Sequence, residues 1–154
     1  MTRLAVFLAT VAYLGYFPVA PGTVGSAAGL VVYLLVWWTQ APAVEVGLIV
    51  LVFAVGVWAG TTSERSFGGI DPGPVVIDEV LGMLITLAFI PVGVAGALAG
   101  FVLFRMFDVV KPFPAGRLER LHGGLGVMAD DAMAAVYANI SLRLMIFLMP
   151  GWLA

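Results

Sequence analysis

Long apolar runs separated by short turns organise the chain: Leu4 to Phe17, Val24 to Gln40, Ala43 to Thr62, Val80 to Ile90, Val94 to Val109 and Val127 to Phe147. None shows the period-2 alternation of a barrel strand, and open backbone does not survive in hydrocarbon, so each run predicts a helix. At about 1.5 Å rise per residue, several fall short of the roughly 30 Å hydrocarbon layer of a bilayer unless flanking residues join them. Ala43 to Thr62 is the best single span. The first run breaks at Phe17-Pro18 and leads into a Gly/Pro turn, which predicts a segment lying in the interface or re-entering rather than crossing. Met1-Thr2-Arg3 ahead of it has the charge of a signal peptide, but no polar mature domain follows, so the segment is read as retained. The turns fall at Pro18 to Gly22, Gln40 to Pro42, the polar stretch Thr61 to Pro74, Pro91 to Gly93, and Lys111 to Gly126. The expected architecture is an all-α integral membrane protein, one domain over residues 1–154, with about four to six membrane-associated helices.

Composition strengthens the membrane reading and removes several chemistries. Of 154 residues 62% are hydrophobic and 10% charged, and the mean hydropathy is +1.11, more apolar than a soluble core of this size needs. A net charge of -2 leaves no basic stripe for a phosphate backbone, so nucleic acid is not an expected partner. With no cysteine there is no disulfide, thiolate metal site or cysteine phosphatase, and the one histidine rules out a two-histidine acid phosphatase.

The few charges are unevenly placed. Arg3, Arg65, Arg105, Lys111, Arg117 and Arg120 lie at the start, after Thr62, or around the stretch following Val110, whereas the Gln40 and Pro91 turns carry no Lys or Arg. The bias of basic loops toward the cytoplasm then puts these three regions on the inner face, with Arg143, late in the last run, as the exception. Threaded this way, the chain brings every acid cluster to a cytosolic helix end. Asp78-Glu79 and Asp130-Asp131 open outgoing helices, Asp108 closes an incoming one, and Thr23 with Ser26 opens the first outgoing one.

Those five carboxylates carry the candidate chemistry. An acid in or beside hydrocarbon costs on the order of 2.5–3.5 kcal/mol on insertion scales, and such groups persist where they bind ions, relay protons or line a substrate path. An acid pair in a first helical turn is also what capping and the helix dipole favour. Two such pairs plus Asp108 exceed what capping requires and point to a hard divalent cation held by oxygen ligands, its shell completed by water and phosphate. Arg105 and Lys111, three residues before and after Asp108, can reach its face of the helix, either as structural ion pairs or as phosphate contacts. Pro21-Gly22-Thr23-Val24-Gly25-Ser26 reads as a Gly-rich loop entering a helix, either an anion cradle or an ordinary Ser/Thr-capped turn. His122 sits in a glycine-rich loop before Asp130, open to a solvent role or to proton transfer and phosphate binding.

Taken together, PGTVGS at Pro21 to Ser26, IDEVLGM at Ile77 to Met83, FRMFDVVKPFP at Phe104 to Pro114 and HGGLGVMADD at His122 to Asp131 resemble the phosphatidylglycerophosphatase A family. The resemblance runs from about Pro18 into the last helix, with four motifs in the family's order and spacing. It implies an all-helical, Mg²⁺-dependent enzyme of the bacterial inner membrane, its site facing the cytoplasm, that converts phosphatidylglycerophosphate to phosphatidylglycerol. It further implies that Asp78, Glu79, Asp108, Lys111, Asp130 and Asp131 form the site, with Thr23 and His122 nearby. The expected roles are Glu79, Asp130 and Asp131 as metal ligands, Asp78, Asp108 and Asp131 as catalytic carboxylates, and Thr23, Ser26, Arg105, Lys111 and His122 as substrate contacts. The competing reading is a small cation transporter or ion-binding protein built on the same acids, which would place them near the bilayer midplane with access to both sides.

Overall fold

A computed structural model describes residues 2–67 and 72–153; residues 68–71, inside the predicted polar stretch, lie outside the described residues, as does Met1. The described chain is helical: α1 (Thr2–Ala9), α2 (Pro21–Trp37), α3 (Pro42–Phe67), α4 (Ile77–Leu87), α5 (Val94–Val110), α6 (Ala115–Leu118), α7 (Gly124–Leu148) and α8 (Pro150–Leu153), with a 3₁₀ turn at Leu14–Tyr16. Among the described residues α3 and α7 are the two helices long and apolar enough to cross a membrane, and α2 is a shorter apolar one. The apolar windows of α3 and α7 are only 17% and 28% buried, so their hydrophobic surface faces outward, unlike that of a soluble protein's core helix. Leu35, Val50, Val102 and Leu144 are each more than half exposed on four different helices. Such an exterior suits lipid, and the protein is membrane-associated.

The first run does not cross. α1 is eight residues, about 12 Å, and is followed by left-handed backbone at Val11, Ala12 and Tyr13 before the 3₁₀ turn. It lies along α3, and its last carbonyl, Ala9, accepts a 2.9 Å hydrogen bond from the Val76 amide just ahead of α4.

α4 is the centre of the bundle. It is eleven residues long, with nine of them buried, and is enclosed by α2, α7, α3 and α5. A helix apolar nearly all round is stable only inside such a cage. Its neighbours come close because small residues face it. A Cβ on Gly25 would strike Val76, one on Gly29 would strike Val80 and Met83, and Gly82 of α4 itself receives the ring of buried Phe104 from α5. Leu84, Leu87, Phe104, Ala135, Ala138 and Leu142 form the larger core; Ala5, Ala9, Leu81, Val127 and Met128 belong to a second under α1.

Two expected helix starts shift, each for a local reason. α2 begins at Pro21, whose fixed φ suits the first helical position, so the PGTVGS segment is the opening of the helix rather than a loop before it. α7 begins at Gly124, after Gly123 at φ 73°, so Asp130-Asp131 lie about two turns inside the helix and do not cap it. The Gly124 amide donates instead to Thr61 Oγ1 of α3 at 2.9 Å, and a Cβ at Gly124 would meet the Val57 carbonyl, which fixes the α3–α7 crossing.

Candidate active site

At one end of the bundle the first turn of α4, the last turn of α5 and the second turn of α7 converge, and with them the five acids. Oxygens of Asp78, Glu79 and Asp131 lie within 4.8 Å of one another. Asp78, Asp130 and Asp131 are buried, and the Glu79 and Asp108 side chains are 13% and 14% exposed. Asp108 comes within hydrogen-bonding reach of Asp131, and Glu79 and Asp130 add their fields there. Glu79 Oε2 and Asp131 Oδ2 are buried without a hydrogen-bond partner among the described residues. Two buried anionic oxygens left over beside a third carboxylate are an arrangement that a bound cation completes. The donors are all carboxylate oxygens, the set a hard divalent ion takes.

Two cations frame the acids. Arg105 Nη1 lies 2.7 Å from Asp108 Oδ2 and 3.7 Å from Glu79 Oε1, spanning α5 and α4. Lys111 ends α5 in the left-handed region, at φ 46° and ψ 61°, which turns its side chain toward α7. Its Nζ reaches Asp130 Oδ2 at 2.6 Å and Glu119 Oε1 at 3.0 Å. Burial by itself would lower the Lys111 pKa, but hydrogen bonds and charge from Asp130 and Glu119 outweigh it and hold the ammonium above its ordinary range. The folded value being the raised one, this pairing contributes its full stability below the ordinary lysine range, neutral pH included, and loses it only as pH climbs through the folded value. Lys111→Met is therefore expected to lower stability by about 1–3 kcal/mol at pH 7, since buried Asp130 loses its cation. Thermal melts in detergent check this, and a melting temperature equal to wild type would show that Asp130 does not depend on Lys111.

The glycines of the first motif touch the site through packing. A Cβ on Gly22 would collide with Glu79 Oε1 and come within 3.0 and 3.1 Å of the Arg105 guanidinium nitrogens. Of the residues expected to contact substrate, Arg105 and Lys111 stand among the acids. Thr23 is exposed on the first turn of α2, whereas Ser26 is fully buried and donates to the Gly22 carbonyl at 2.9 Å, a bond within its own helix. His122 is exposed in the turn before α7. Glu119 was not anticipated; it lies in the polar stretch after α5, and only the fold brings it to Lys111.

Comparison with known proteins gives a consistent result. A family model described as phosphatidylglycerophosphatase A matches residues 7–146. A Bacteroides thetaiotaomicron protein that carries the name "Putative phosphatidylinositol-3-phosphatase" is 37% identical over 138 residues, covering 82% of this chain and 83% of that one. Proteins named phosphatidylglycerophosphatase A from Haemophilus influenzae and Escherichia coli are each 36% identical, over 136 and 141 residues, covering 87% and 90% of this chain and 81% and 79% of theirs. No solved structure matches the chain.

Proposed function

The chain belongs to the phosphatidylglycerophosphatase A family, and from that premise we propose that it is a Mg²⁺-dependent lipid phosphatase that hydrolyses phosphatidylglycerophosphate to phosphatidylglycerol and phosphate. The observation that carries the reading is the convergence of Asp78, Glu79 and Asp131 from two helices within 4.8 Å, with Glu79 Oε2 and Asp131 Oδ2 buried and to spare. These three would hold Mg²⁺, with Asp130 behind them. When bound, the ion supplies charge for the phosphoryl oxygens and lowers the pKa of a water.

The remaining steps belong to the side chains. Arg105 presents a guanidinium between Glu79 and Asp108 and offsets charge growing on the phosphoryl group, as Lys111 does from the other side through its hold on Asp130. Asp108, outside the three-acid set yet within reach of Asp131, is placed to take the proton of the attacking water as the phosphorus–oxygen bond to the glycerol breaks. The leaving alkoxide takes that proton from Asp108, which restores the carboxylate, and departs as the lipid alcohol. Apolar helix faces around the bundle leave the acyl chains in lipid while the head group meets the acids.

The end of the bundle that holds the acids also holds Arg65, Lys111 and Arg117, while Arg143 hydrogen-bonds at the opposite end of α4. By the positive-inside bias this supports a site facing the cytoplasm from the bacterial inner membrane. Acids at one end rather than at mid-depth favour surface chemistry over cation transport. The Bacteroides relative's name favours one second reading, a phosphoinositide monoester as substrate.

Phosphate release from phosphatidylglycerophosphate and from phosphatidylinositol 3-phosphate, in detergent with Mg²⁺ or with EDTA, separates these. The expected result is release from the first lipid, lost in EDTA and regained on adding Mg²⁺. Release from the inositol lipid alone would replace the substrate assignment, and EDTA-resistant release would remove the metal.

A further inference from the structure

The carboxyl end of α4 is held by an unusual set of side chains. The helix stops after eleven residues, about 16 Å, so its last carbonyls lie within the bundle, far from the acid end and short of the opposite one. Carbonyls at a helix end lack the amides a continuing helix would supply and cost several kcal/mol each if left bare in an apolar medium. Here the Ala88 and Ile90 amides turn back to those of Ile85 and Leu87 at 3.2 Å each, and side chains add to them. Two neighbouring helices, α7 and α2, supply side-chain donors to the carbonyls here, and α3 an acceptor for an amide. From α7, Asn139 Nδ2 shares its two hydrogens among the carbonyls of Ile85, Thr86 and Ala88 at 3.0, 3.0 and 3.2 Å. Arg143 adds Nη2 contacts to the Ala88 and Phe89 carbonyls at 3.0 and 3.5 Å, and its Nε donates to Asn139 Oδ1 at 2.8 Å, fixing the amide's orientation. Tyr33 of α2 donates to the Ile90 carbonyl at 3.0 Å, and Glu45 of α3 accepts from the Phe89 amide at 3.5 Å.

The spacing links this cap to the acids. α4 and α7 run parallel, since Asp78 and Glu79 meet Asp131 at one end and the Ile85 and Thr86 carbonyls meet Asn139 at the other. From Asp78 to Thr86 is eight residues and from Asp131 to Asn139 is eight, about 12 Å on each helix. The two helices are thus tied at both ends of the same interval, and the distal tie contains no carboxylate. Rotation or sliding of α4 on α7 would separate the carboxylates and would first have to break the Asn139 bonds.

We infer that Asn139, held by Arg143, is a positioning residue for the acid site: it pins the end of α4 to α7 and so keeps Asp78 and Glu79 in register with Asp131. The inference rests on the metal-site reading above. A group hydrogen-bonded directly to a metal ligand typically governs affinity by about 10- to 100-fold. Asn139 bonds no ligand and acts through helix register about 12 Å away, so its effect is expected at or below the low end of that range.

The test uses Mn²⁺ as the probe, a hard ion of the same ligand preference, with free Mn²⁺ read by electron paramagnetic resonance on detergent-purified protein. Asn139→Leu removes both donors at similar volume, Asn139→Ser keeps one shorter donor, and Leu142→Ala, on the same helix but packed into the core toward α5, controls for loss of packing. Asn139→Leu is expected to weaken Mn²⁺ binding by up to about tenfold, Asn139→Ser by less, and Leu142→Ala hardly at all despite a comparable drop in melting temperature. If Asn139→Leu does not fold, the Asn139→Ser comparison with Leu142→Ala decides alone. Wild-type affinity in the Asn139 variants, or equal loss in Leu142→Ala, overturns the positioning role while leaving the metal site standing. Wild type that binds no Mn²⁺ overturns both.

Discussion

Asp131→Asn is expected to reduce phosphate release by at least about 10²–10³-fold without unfolding the protein, because a neutral amide keeps the volume and removes the charge. Asp131 is the α7 member of the three-acid set, is buried, and has one oxygen with no hydrogen-bond partner among the described residues. Burial, and then the neighbouring Asp108, Glu79 and Asp130, disfavour a charge at this position when no cation is present, so a neutral Asn costs the metal-free protein little. The variant should therefore melt no lower than wild type in EDTA, yet gain little from added Mg²⁺. Wild type, by contrast, is expected to gain about 2.7 kcal/mol when Mg²⁺ is a hundred times the dissociation constant of the proposed site. Paired melts and phosphate assays read both effects. An Asp131→Asn protein that retains metal-dependent turnover, or is still stabilised by Mg²⁺ as wild type is, would take Asp131 out of the site.

Gly22→Val should lower turnover by roughly 10²-fold, a displacement effect of the kind a 1 Å error in a positioned group produces. No carboxylate is altered. The new side chain would enter space held by Glu79 Oε1 and the Arg105 guanidinium, so both must move away from Asp108 and Asp131. Gly47→Ala is the matched comparison: it lies in α3 with nothing within 4 Å of an added Cβ, and should be neutral or stabilising by up to about 1 kcal/mol from helix propensity. Equal activity in Gly22→Val and Gly47→Ala would mean that the start of α2 does not press on the site.

Much of this architecture was legible from hydrophobic runs alone. The six runs correspond to α1 and α2 through α5 and α7, and the reading that Asp78-Glu79, Asp108 and Asp130-Asp131 meet at one depth agrees with their convergence. The glycines were harder to read. A Gly-rich segment before an apolar run looks the same whether its amides cradle an anion or its bare Cα atoms admit a neighbouring helix, and at Gly22, Gly25 and Gly124 the second holds. Placing the start of α7 three residues late made Asp130-Asp131 look like a cap, when the helix already begins at Gly124, and Gly124 and Gly126 are there because backbone carbonyls of Val57 and Leu121 leave no room for a Cβ. Asn139 gave no signal, since its partners lie 51 to 54 residues away and a lone amide in an apolar run has no period to break. Arg143 did stand out, as the basic residue on the wrong side of the charge pattern. Its use as a helix-end donor explains the exception.

The short helices have a consequence for the bilayer itself. α2 and α5 have seventeen residues each, about 26 Å, against a hydrocarbon layer of roughly 30 Å. Lipids along that wall meet hydrophobic mismatch, and the membrane accommodates a short wall by thinning beside it, at fractions of a kcal/mol per Å. Where these helices face lipid, head groups beside them are expected to sit closer to the midplane than those in the bulk. For the lipid substrate proposed above, such thinning would lower the phosphate toward the depth of Asp108, Arg105 and Glu79, so that the lipid need not be drawn out of the leaflet to be reached.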